Sequence, residues 1–418
     1  MLAVVLAAGK GERLLPLTAT RPKHLIPIAG RPLLLRLLDS LAAAGVQEFV
    51  IVTHYFEDQI KHRITREAKE AGWKVRFAHQ SHPEGTAHAL LTARDHVDAD
   101  RFLVVCGDLL VEPEALQPAV EAVSKGQNVI VGVEVPDISG YGELVTSKDL
   151  LKQIVEKPPE HRLGLANTGI YALSSDIWPL LEKVPPSPRG EYELTDAITE
   201  LAQKTDIYVP HIDRSYWMDI GNLWDLLEAN RRVLEKMPPR VLGEVEPGVH
   251  LIGKVIIGED TLVLPGAYIR GPVYIGRNCK IGPNCYIRPY TSIESKVRIG
   301  NAVEIKNSII LSHTNIAHLS YVGDSIIGEH CNLGAGTIIA NLRHDEATIK
   351  VTVRGKRVDT GLRKFGAVFG DYVKTGVNVS IMPGVLVGHD VWIGPHLCIM
   401  RDIPPHSRIL SRQPPTAV

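Results

Sequence analysis

The residues near the start of the chain that best suit chemistry form a glycine-rich segment, Leu6-Ala7-Ala8-Gly9-Lys10-Gly11-Glu12-Arg13. Glycines let backbone N–H groups approach phosphate oxygens, and a helical turn behind them adds a favourable dipole. The segment is neither a full GxGxxG motif nor a Walker loop with its closing Lys and Ser or Thr, so a plain turn is the alternative. Ten residues beyond Arg13, Arg21-Pro22-Lys23 presents a second cation, either to a phosphate or to solvent.

These residues lie in a region where short β-rich runs alternate with helical stretches. The predicted strands are Ala3–Leu6, Phe49–Thr53, Lys74–Ala78, Phe102–Cys106 and Val129–Val133. A helix is predicted over Pro32–Ala44, with proline in its first turn and Gly45 just past its end. This alternation predicts βαβ units around a largely parallel sheet, in which ligands bind at the carboxyl ends of the strands.

From about Pro239 the hydrophobic period changes to six. Aliphatic residues recur at Ile257, Val263, Ile269, Ile275, Ile281, Ile287, Ile293, Ile299, Ile305 and Leu311, and the phase returns at Phe369, Ile381, Val387, Ile393 and Ile399. Strict sixes fit neither a helix nor an ordinary strand, whereas a hexapeptide β-helix explains them. The out-of-phase segment Asn341–Lys364 is predicted to be a loop leaving the coil, and the helix Leu223–Lys236 is predicted to link the halves.

Composition excludes several classes of protein. The 418 residues include 46 Lys plus Arg and 47 Asp plus Glu, a net charge of −1, so a general nucleic-acid binder is not expected. No apolar run is long enough to span a membrane, and the apolar start lacks the basic leader of a signal peptide. The five cysteines form no CxxC pair. They indicate reduced thiols in a cytoplasmic protein without a zinc site.

Several motifs in residues 1–230 resemble, in order, those of the sugar-phosphate nucleotidyltransferases. Leu6–Arg13, Leu14, Pro16, Leu17, Thr18, Pro22 and Lys23 fit the opening signature LAAGxGxRLxPLTxxxPK. The later motifs are Gln80 with Gly85–Ala89, Cys106-Gly107-Asp108, Tyr141-Gly142, Val155–Pro158, Asn167–Tyr171 and Trp217–Gly221.

That resemblance implies a reaction in which a sugar 1-phosphate oxygen attacks the α-phosphorus of a nucleoside triphosphate and pyrophosphate leaves. The nucleophile is already an anion, so the enzyme supplies positioning and charge stabilisation rather than a general base. The implied roles are Asp108 and Asp219 as Mg²⁺ ligands, Arg13 and Lys23 as catalytic cations, and Leu6, Ala8, Gly9, Gly11, Gln80, Gly85, Thr86, Gly142, Glu156, Lys157 and Asn167 as substrate-binding residues.

The periodic half carries a polar cluster that a bare spacer does not need: Arg288, Glu304, Lys306, His318, Tyr321, Asn332, Asn341 and Lys350. The strings around them resemble the acetyltransferase domain of the bifunctional glucosamine-1-phosphate acetyltransferase/N-acetylglucosamine-1-phosphate uridyltransferases. The resemblance implies His318 as the base that takes the amine proton. It also implies substrate binding by Arg288, Lys306, Tyr321, Asn332, Asn341 and Lys350, and an approach of acetyl-CoA to Ala335. The segment after Asn341 lacks the NYDG-type sequence of bacterial members and is more similar to an archaeal branch.

The combined prediction is an α/β protein with a Rossmann-like nucleotidyltransferase domain over residues 1–228, a linker helix over 229–240 and a left-handed parallel β-helix of hexapeptide repeats over 241–418. The resemblance implies a cytoplasmic, homotrimeric, bifunctional enzyme of nucleotide-sugar biosynthesis. It would join UTP or dTTP to N-acetylglucosamine 1-phosphate or glucose 1-phosphate, and would acetylate glucosamine 1-phosphate with acetyl-CoA. The alternatives are a glucose- or mannose-1-phosphate nucleotidyltransferase whose β-helix serves oligomerisation only, and an inactive regulatory subunit. Pocket shape decides the base and the sugar, so these stay open.

Overall fold

The computed structural model describes residues 1–188 and 190–410, and its contacts divide the chain into two compact units. The first unit comprises Met1–Lys10, Pro22–Leu25 and Leu33–Ile220. The second comprises Gly11–Arg21, Ile26–Pro32 and the chain from Gly221 onward. The glycine-rich segment and its cations are therefore divided between the two units. No helix in the described part of the chain is both long and apolar enough to cross a membrane.

Helices in the first unit are α1 (Leu33–Ala43), α2 (Glu57–Ala71), α3 (Thr86–Thr92), α4 (Pro113–Lys125), α5 (Trp178–Leu181) and α6 (Leu194–Ala202); α7 (Leu223–Lys236) lies in the second. Helix α1 confirms the prediction: its leucines are buried, and Gly45 follows it with a φ of 98°. Short 3₁₀ turns lie at Glu12–Leu14, Leu17–Ala19, Lys23–Leu25, Arg94–His96, Ile138–Gly140, Ser175–Ile177 and Arg214–Tyr216.

The strands of the first unit are β1 (Leu2–Leu6), β2 (Glu48–Thr53), β3 (Lys74–His79), β4 (Arg101–Cys106), β5 (Leu109–Val111), β6 (Asn128–Val135), β7 (Gly142–Ser147), β8 (Leu150–Glu156), β9 (Gly164–Ser174), β10 (Ile207–Tyr208), β11 (His211–Ile212) and β12 (Trp217–Asp219). Ten of them form a sheet in the order β11-β6-β10-β8-β7-β9-β4-β1-β2-β3, and β5 pairs with β12. Buried aliphatic side chains cover both faces of this sheet.

The prediction of a largely parallel sheet is correct for one side of it and for two short strands toward the opposite edge, β10 and β11, which run parallel to β6. Strands β3, β2, β1 and β4 run parallel, as predicted. Strand β9 runs antiparallel to β4, and β7 runs antiparallel to β8. The β7–β8 connection is the pair Lys148-Asp149, whose φ angles of 52° and 61° suit a two-residue hairpin. A hairpin needs no crossover helix, so the sheet is mixed.

The second unit contains three parallel sheets, named here together the three-sheet stack. Sheet I comprises Arg240–Val241, Val255–Ile257, Val273–Ile275, Thr291–Ile293, Ile309–Ile310, Ile326–Ile327, Val368–Phe369 and Leu386–Val387. Sheet II comprises Glu244–Val245, Leu262–Val263, Lys280–Ile281, Arg298–Asn301, Asn315–His318, Asn332–Leu333, Lys374–Thr375, Trp392–Ile393 and Arg408–Ile409. Sheet III comprises His250–Ile252, Tyr268–Arg270, Tyr286–Ile287, Glu304–Lys306, Tyr321–Gly323, Ile338–Ile339, Ser380–Ile381 and Cys398–Ile399. The chain visits the sheets in turn, which is the arrangement of a parallel β-helix.

The predicted aliphatic column is the core of this stack, with one correction. Ile275 pairs with Ile293, eighteen residues on, but Ile293 pairs with Ile310, seventeen residues on. Ile310 therefore belongs to the core cluster in place of the predicted Leu311, which is buried outside it. The coils between Ile293 and Ile339 repeat every seventeen residues because one corner of each is a residue shorter, and the spacing of eighteen returns where Phe369 pairs with Val387.

Segment 341–364 leaves the stack as predicted, and it does so as a closed excursion. Its strands Lys350–Val353 and Lys356–Asp359 form a hairpin. At its base, Leu342 bridges Lys364, and the N–H of Phe365 donates to Asn341 O at 3.0 Å. Another two-stranded pair, Pro27–Ile28 with Arg31–Pro32, also lies in the second unit.

Candidate active sites

Asp108 lies just past the carboxyl end of β4, beside the end of β1. Gly107 makes this approach possible: its N–H donates to Leu6 O at 2.9 Å, and a Cβ there would come within 2.8 Å of that oxygen. The ammonium of Lys23 forms an ion pair with the Asp108 carboxylate, and the two side chains are only 14% and 21% exposed. Lys23 is therefore paired with a site carboxylate rather than solvated.

The surroundings of the Lys23–Asp108 pair determine the protonation states of Asp108 and of the adjacent His24. Burial alone would raise the pKa of Asp108, but the charge and hydrogen bond of Lys23 hold it below its usual range. Burial, reinforced by Lys23, lowers the pKa of the adjacent His24 to about 3, so its ring is neutral. Gly9 lies against the lysine, since a Cβ there would be 3.8 Å from Nζ.

Asp219 ends β12, directly opposite Leu109 of β5. The next residue, Ile220, donates its N–H to Asp108 O at 3.1 Å, so the two aspartates occur on adjacent backbone segments. Both affect Cys106: the pKa of this thiol is raised first by burial and then by the charges of Asp108 and Asp219. The two predicted metal ligands therefore occupy one site.

The donor set fits magnesium. Within residues 1–188 and 190–410 there is no group of three or more His, Cys, Asp or Glu side chains that could hold a metal. Mg²⁺ needs no such cage, because it typically takes one or two carboxylates and completes its shell with water and substrate phosphates. Asp108 and Asp219 match that pattern.

The predicted sugar-binding residues lie on β7, β8 and β9. Gly142 pairs with Glu156 across β7 and β8, and a Cβ at Gly142 would be 3.2 Å from a Glu156 oxygen. Glu156 accepts a 2.8 Å hydrogen bond from Thr195. Lys157 follows with a φ of 46°, and its N–H donates to Tyr141 O at 3.0 Å. Glu156 also raises the pKa of Cys106, so its charge acts on the thiol that Asp108 and Asp219 affect.

Asn167 on β9 fixes the turn that follows it. Its amide donates to the hydroxyl of Tyr171 at 2.8 Å, and its oxygen accepts the N–H of Gly169 at 3.0 Å. Gly169 has a φ of 77°, and a Cβ there would lie 2.8 Å from Cys106 Sγ. Burial, followed by the charges of Cys106 and Glu156, raises the pKa of Tyr171, so the phenol stays protonated.

The segment predicted to read the nucleobase is tightly packed. Gln80 is 2% exposed, and its amide donates to Gly85 O at 3.3 Å. A Cβ at Gly85 would fall 2.4 Å from Tyr192 O, so only glycine fits there. Thr86 accepts the N–H of Leu194 at 2.9 Å, at the start of α6. This segment is therefore braced by α6.

The rest of the glycine-rich segment falls on both sides of the division between the units. Ala8 is 5% exposed in the first unit, whereas Gly11 and Arg13 belong to the second. Gly11 has a φ of 68° and precedes the 3₁₀ turn that contains Arg13. Burial raises the pKa of Asp225 to about 6. The hydrogen bonds from Asn222 and Gly221 and the charge of Arg13 lower this pKa, but they do not outweigh burial.

Three of the residues predicted to bind the amino sugar meet at Asp324. The Lys306 ammonium contacts both carboxylate oxygens, at 2.9 and 3.1 Å. The Asn341 amide donates to Asp324 and also to the Tyr321 hydroxyl, the latter at 3.2 Å. Asn307 adds a further bond to Asp324 at 2.8 Å. Asp324, for which no role was predicted, organises this cluster.

Arg288 extends the cluster along sheet III. Its guanidinium donates to Glu304 at 2.8 Å and lies 5.7 Å from the ring centroid of Tyr286. Glu304 is in register with Tyr321 on the next coil. Burial and the nearby carboxylates, Asp324 first, raise the pKa of Tyr321, so its hydroxyl remains a hydrogen-bond donor.

His318 is exposed at the end of its strand in sheet II, at the corner that leads to Tyr321. Its carbonyl accepts the N–H of Gly336 at 3.4 Å, which places Ala335 beside it on the next coil. Asn332 is exposed at the start of its strand in the same sheet and has no bond to the Asp324 cluster among the described residues. Within one chain, His318 and Ala335 are brought together and Asn332 is not.

Lys350 lies on the hairpin that leaves the stack and is exposed. Its neighbours Ile349 and Val351 are buried, at 1% and 0% exposure. The turn of the hairpin carries Arg354, whose Nε is 3.1 Å from a carboxylate oxygen of Glu12. The hairpin is thus packed on its own chain, with Lys350 facing solvent.

Sequence reasoning assigned no role of their own to Asp324, Thr195 and Tyr171, all of which hold predicted site residues. Asp324 follows Gly323, which pairs with Lys306 on the previous coil, so an accurate coil length would have found it. Tyr171 ends the quoted motif Asn167–Tyr171 and lies four residues from its partner on the same strand. No comparable signal exists for Thr195, because its contact with Glu156 is set by tertiary packing.

A comparison with known proteins first identifies the class of protein to which the chain belongs. The profile of the nucleotidyl transferase family matches residues 2–236, and one described as the GMPPB C-terminal domain matches residues 269–376. A solved UDP-glucose pyrophosphorylase complexed with UDP-glucose aligns with a TM-score of 0.51 at 24% identity, over 56% of this chain and 99% of that chain. This likeness shows the fold alone, and the first half of the chain is a Rossmann-like nucleotidyltransferase domain.

Relatives that match nearly the whole chain identify a narrower family within this class. A bifunctional protein GlmU of Methanocaldococcus jannaschii is 41% identical over 98% of this chain and 97% of its own length. A bifunctional sugar-1-phosphate nucleotidylyltransferase/acetyltransferase of Sulfurisphaera tokodaii is 42% identical over 96% of this chain and 98% of its own. The chain therefore belongs to the family of bifunctional sugar-1-phosphate nucleotidylyltransferase/acetyltransferases, in its archaeal branch.

Proposed function

We propose that this chain catalyses two reactions: nucleotidyl transfer from UTP or dTTP to N-acetylglucosamine 1-phosphate or glucose 1-phosphate, and N-acetylation of glucosamine 1-phosphate by acetyl-CoA. The observation that carries the proposal is that predicted residues from each half of the chain meet in a cluster. One is centred on Lys23, Asp108 and Asp219, and the other on Asp324.

In nucleotidyl transfer, the chain brings two polyanions together. Lys23 neutralises phosphate charge, with Arg13 as the second cation and the backbone N–H groups of Gly9 and Gly11 as further donors. Asp108 and Asp219 would hold Mg²⁺, which when bound stabilises negative charge on phosphate oxygens. The other predicted residues orient the sugar and the base: Leu6, Ala8, Gln80, Gly85, Thr86, Gly142, Glu156, Lys157 and Asn167.

In acetyl transfer, His318 takes a proton from the amine, because a protonated amine cannot attack a thioester. Arg288, Lys306 and Lys350 bind the sugar phosphate, and Tyr321, Asn332 and Asn341 orient the sugar. Acetyl-CoA approaches Ala335, beside His318. Both Tyr321 and Asn341 bond within the Asp324 cluster, which supports a pre-formed sugar site.

We further propose that the three-sheet stack is a left-handed parallel β-helix and that the protein is a homotrimer. The domain bounds proposed are 1–228, 229–240 and 241–418. Exposed apolar side chains on sheet III and directly after its last strand support a covering partner copy: Tyr268, Ile338 and Met400 are 42%, 40% and 73% exposed. Light scattering of the pure protein tests the trimer.

A second candidate function is favoured by the match of residues 269–376 to the GMPPB C-terminal domain. On that alternative, the chain is a nucleotidyltransferase only, and the stack serves oligomerisation. The Asp324 cluster would then be a structural network, and acetyl-CoA would not be consumed.

The test uses two variants of the full chain, each with a control substitution of the same type. Pyrophosphate release and CoA thiol release are measured on one preparation. Asp108→Asn should abolish only the first activity and His318→Ala only the second, whereas the controls Asp98→Asn and His344→Ala, both at exposed positions, should retain both. If His318→Ala releases CoA at the wild-type rate, the proposed acetyltransferase site is wrong.

A further inference from the structure

The seventeen-residue coils of the three-sheet stack lose their residue at the corner between sheet III and sheet I. Ile287 of sheet III still pairs with Ile305, eighteen positions on, whereas Ile293 of sheet I pairs with the residue seventeen positions on. The shortened corners bend through single residues in the left-handed region, Asn307 and Asp324, with φ angles of 44° and 49°. Asparagine and aspartate adopt this conformation more readily than most residues. The shortening therefore places an amide and a carboxylate at the same corner of successive coils.

The carboxylate of Asp324 has no acceptor position left for a substrate. It receives the Lys306 ammonium at 2.9 and 3.1 Å, the Asn307 amide at 2.8 Å and the Asn341 amide. A carboxylate offers about four lone-pair positions, and these four contacts fill them. The side chain is also only 5% exposed. Its contribution to the cluster is therefore to hold the side chains around it.

Two of those side chains keep a polar group for the substrate. The Lys306 ammonium has three N–H donors and is 22% exposed, so two contacts with Asp324 leave one donor for a phosphate oxygen. The Asn341 amide nitrogen donates to Asp324 and, at 3.2 Å, to the Tyr321 hydroxyl, so its oxygen is the group left to accept from a sugar hydroxyl. Gly323 permits this packing, because a Cβ there would lie 2.5 Å from Tyr321 Oη and 2.7 Å from Asn341 Nδ2.

Asp324 also closes the excursion 341–364 at its base. Its side chain binds Asn341, where the excursion begins, and its carbonyl accepts the N–H of Gly366 at 2.8 Å, just past the end. The excursion carries Lys350, another cation proposed to bind the sugar phosphate. Among the described hydrogen bonds and ion pairs, those of the Asp324 side chain all go to residues of its own corner and of the excursion. A change of this side chain should therefore affect the sugar phosphate rather than acetyl-CoA.

We infer that Asp324 is a positioning residue for acetyl transfer, which holds Lys306 and Asn341 where they bind the sugar phosphate and does not touch the substrate itself. The inference rests on the proposed acetyltransferase function and adds to it a residue that the motif resemblance did not assign. All the groups it invokes belong to the second unit.

The test is Asp324→Asn in the full chain. Asparagine keeps the size of the side chain and suits the left-handed backbone, but it removes the charge and turns one acceptor oxygen into a donor. CoA release is measured while glucosamine 1-phosphate and acetyl-CoA are varied in turn. We expect kcat/KM for glucosamine 1-phosphate to fall roughly 10- to 100-fold, as a small misplacement of binding groups does, and KM for acetyl-CoA to stay within about twofold. A general loosening of the stack would instead change the KM of both substrates.

A double-mutant cycle with Lys306→Met identifies the contact through which Asp324 acts. Methionine keeps an unbranched side chain and removes the ammonium. If Asp324 works by holding Lys306, the loss of kcat/KM in the double variant should be smaller than the product of the two single losses.

The matched control is Asp390→Asn. Asp390 also has a left-handed backbone, with a φ of 51°, and its carboxylate pairs with Arg408 in the same stack. This variant should keep wild-type kcat/KM for glucosamine 1-phosphate. A second variant, Asn307→Gly, accepts the left-handed backbone and removes one donor from Asp324. It should lower the same kcat/KM by at least about threefold, because the carboxylate is then held less firmly.

Three results would overturn the inference: a wild-type kcat/KM in Asp324→Asn, a KM for acetyl-CoA that rises in parallel with that for glucosamine 1-phosphate, or fully additive effects in the double variant. If Asp324→Asn does not fold, a wild-type kcat/KM in Asn307→Gly overturns it. Any of these results beside normal CoA release by the wild-type protein leaves the proposed function standing. A wild-type protein that releases no CoA with glucosamine 1-phosphate would reject the proposed acetyltransferase function itself.

Discussion

Lys23 is the residue whose removal should affect nucleotidyl transfer most directly. Its ammonium is paired with Asp108 and lies beside Gly9, and the proposed function gives it the role of neutralising the charge of the triphosphate. Replacement by methionine keeps an unbranched side chain of similar length and removes only the charge. The matched control is Lys10→Met, at an exposed position of the same segment.

The expected loss of activity can be estimated from the burial of the ion pair between Lys23 and Asp108. Exposed ion pairs are worth about 0–1 kcal/mol, but the Lys23 and Asp108 side chains are only 14% and 21% exposed, so screening by solvent is weak. A hydrogen bond to a charged group is then worth about 1.5–3 kcal/mol. That range corresponds to a loss of roughly 10- to 150-fold in kcat/KM for nucleotidyl transfer. Lys23→Arg should recover part of it, because a planar fork replaces a point charge.

The assay is continuous pyrophosphate release with N-acetylglucosamine 1-phosphate and UTP, and CoA release on the same sample reports whether the protein is folded. Lys10→Met should keep both activities. If Lys23→Met keeps kcat/KM for nucleotidyl transfer within about twofold of wild type, then Lys23 does not stabilise phosphate charge and the reasoning is refuted.

Three further predictions concern other residues of the chain. Asp219→Asn, or chelation by EDTA, should abolish pyrophosphate release and spare CoA release; nucleotidyl transfer at full rate in EDTA would exclude the proposed Mg²⁺ site. His318→Ala should lower acetyl transfer by about 100-fold or more, as loss of a general base does, and the loss should shrink above pH 8, where more of the amine is unprotonated; a rate equal to wild type at pH 7 would contradict the assigned base. N-ethylmaleimide at pH 7.5 should leave Cys331 unmodified in the folded protein, because burial raises the pKa of this thiol to about 12 and keeps it protonated; peptide mass spectrometry showing Cys331 labelled as fast as in protein unfolded in urea would contradict this.

The elements predicted from local pattern were largely correct, because strands and helices with a covered face carry their period in the sequence. Helix α1 and strands β1 to β4 lie within one or two residues of their predicted bounds. The antiparallel pairing of β7 with β8 was missed, since it depends on the hairpin at Lys148-Asp149, which has no glycine to mark it. The column in the stack was predicted until one corner lost a residue and moved Ile310 into place of Leu311.

The features that the sequence did not predict depend on contacts between residues that are distant in sequence. The pairing of Lys23 with Asp108 joins residues 85 positions apart, and only the resemblance to a family put both in one site. The ion pair between Arg21 and Asp371 joins residues 350 positions apart, and no sequence pattern indicates it. Arg21 occupies an unspecified position of the opening signature, so the motif assigns it no role.

We propose that one chain catalyses both reactions one after the other, acetyl transfer first and nucleotidyl transfer second. The most direct measurement incubates the purified protein with glucosamine 1-phosphate, acetyl-CoA, UTP and Mg²⁺, and follows the nucleotide sugars by mass spectrometry. We predict that UDP-N-acetylglucosamine accumulates together with CoA and pyrophosphate, and that it does not form when acetyl-CoA is omitted. Pyrophosphate release from N-acetylglucosamine 1-phosphate or glucose 1-phosphate, with no CoA released from any mixture containing glucosamine 1-phosphate, would contradict it and leave a nucleotidyltransferase alone.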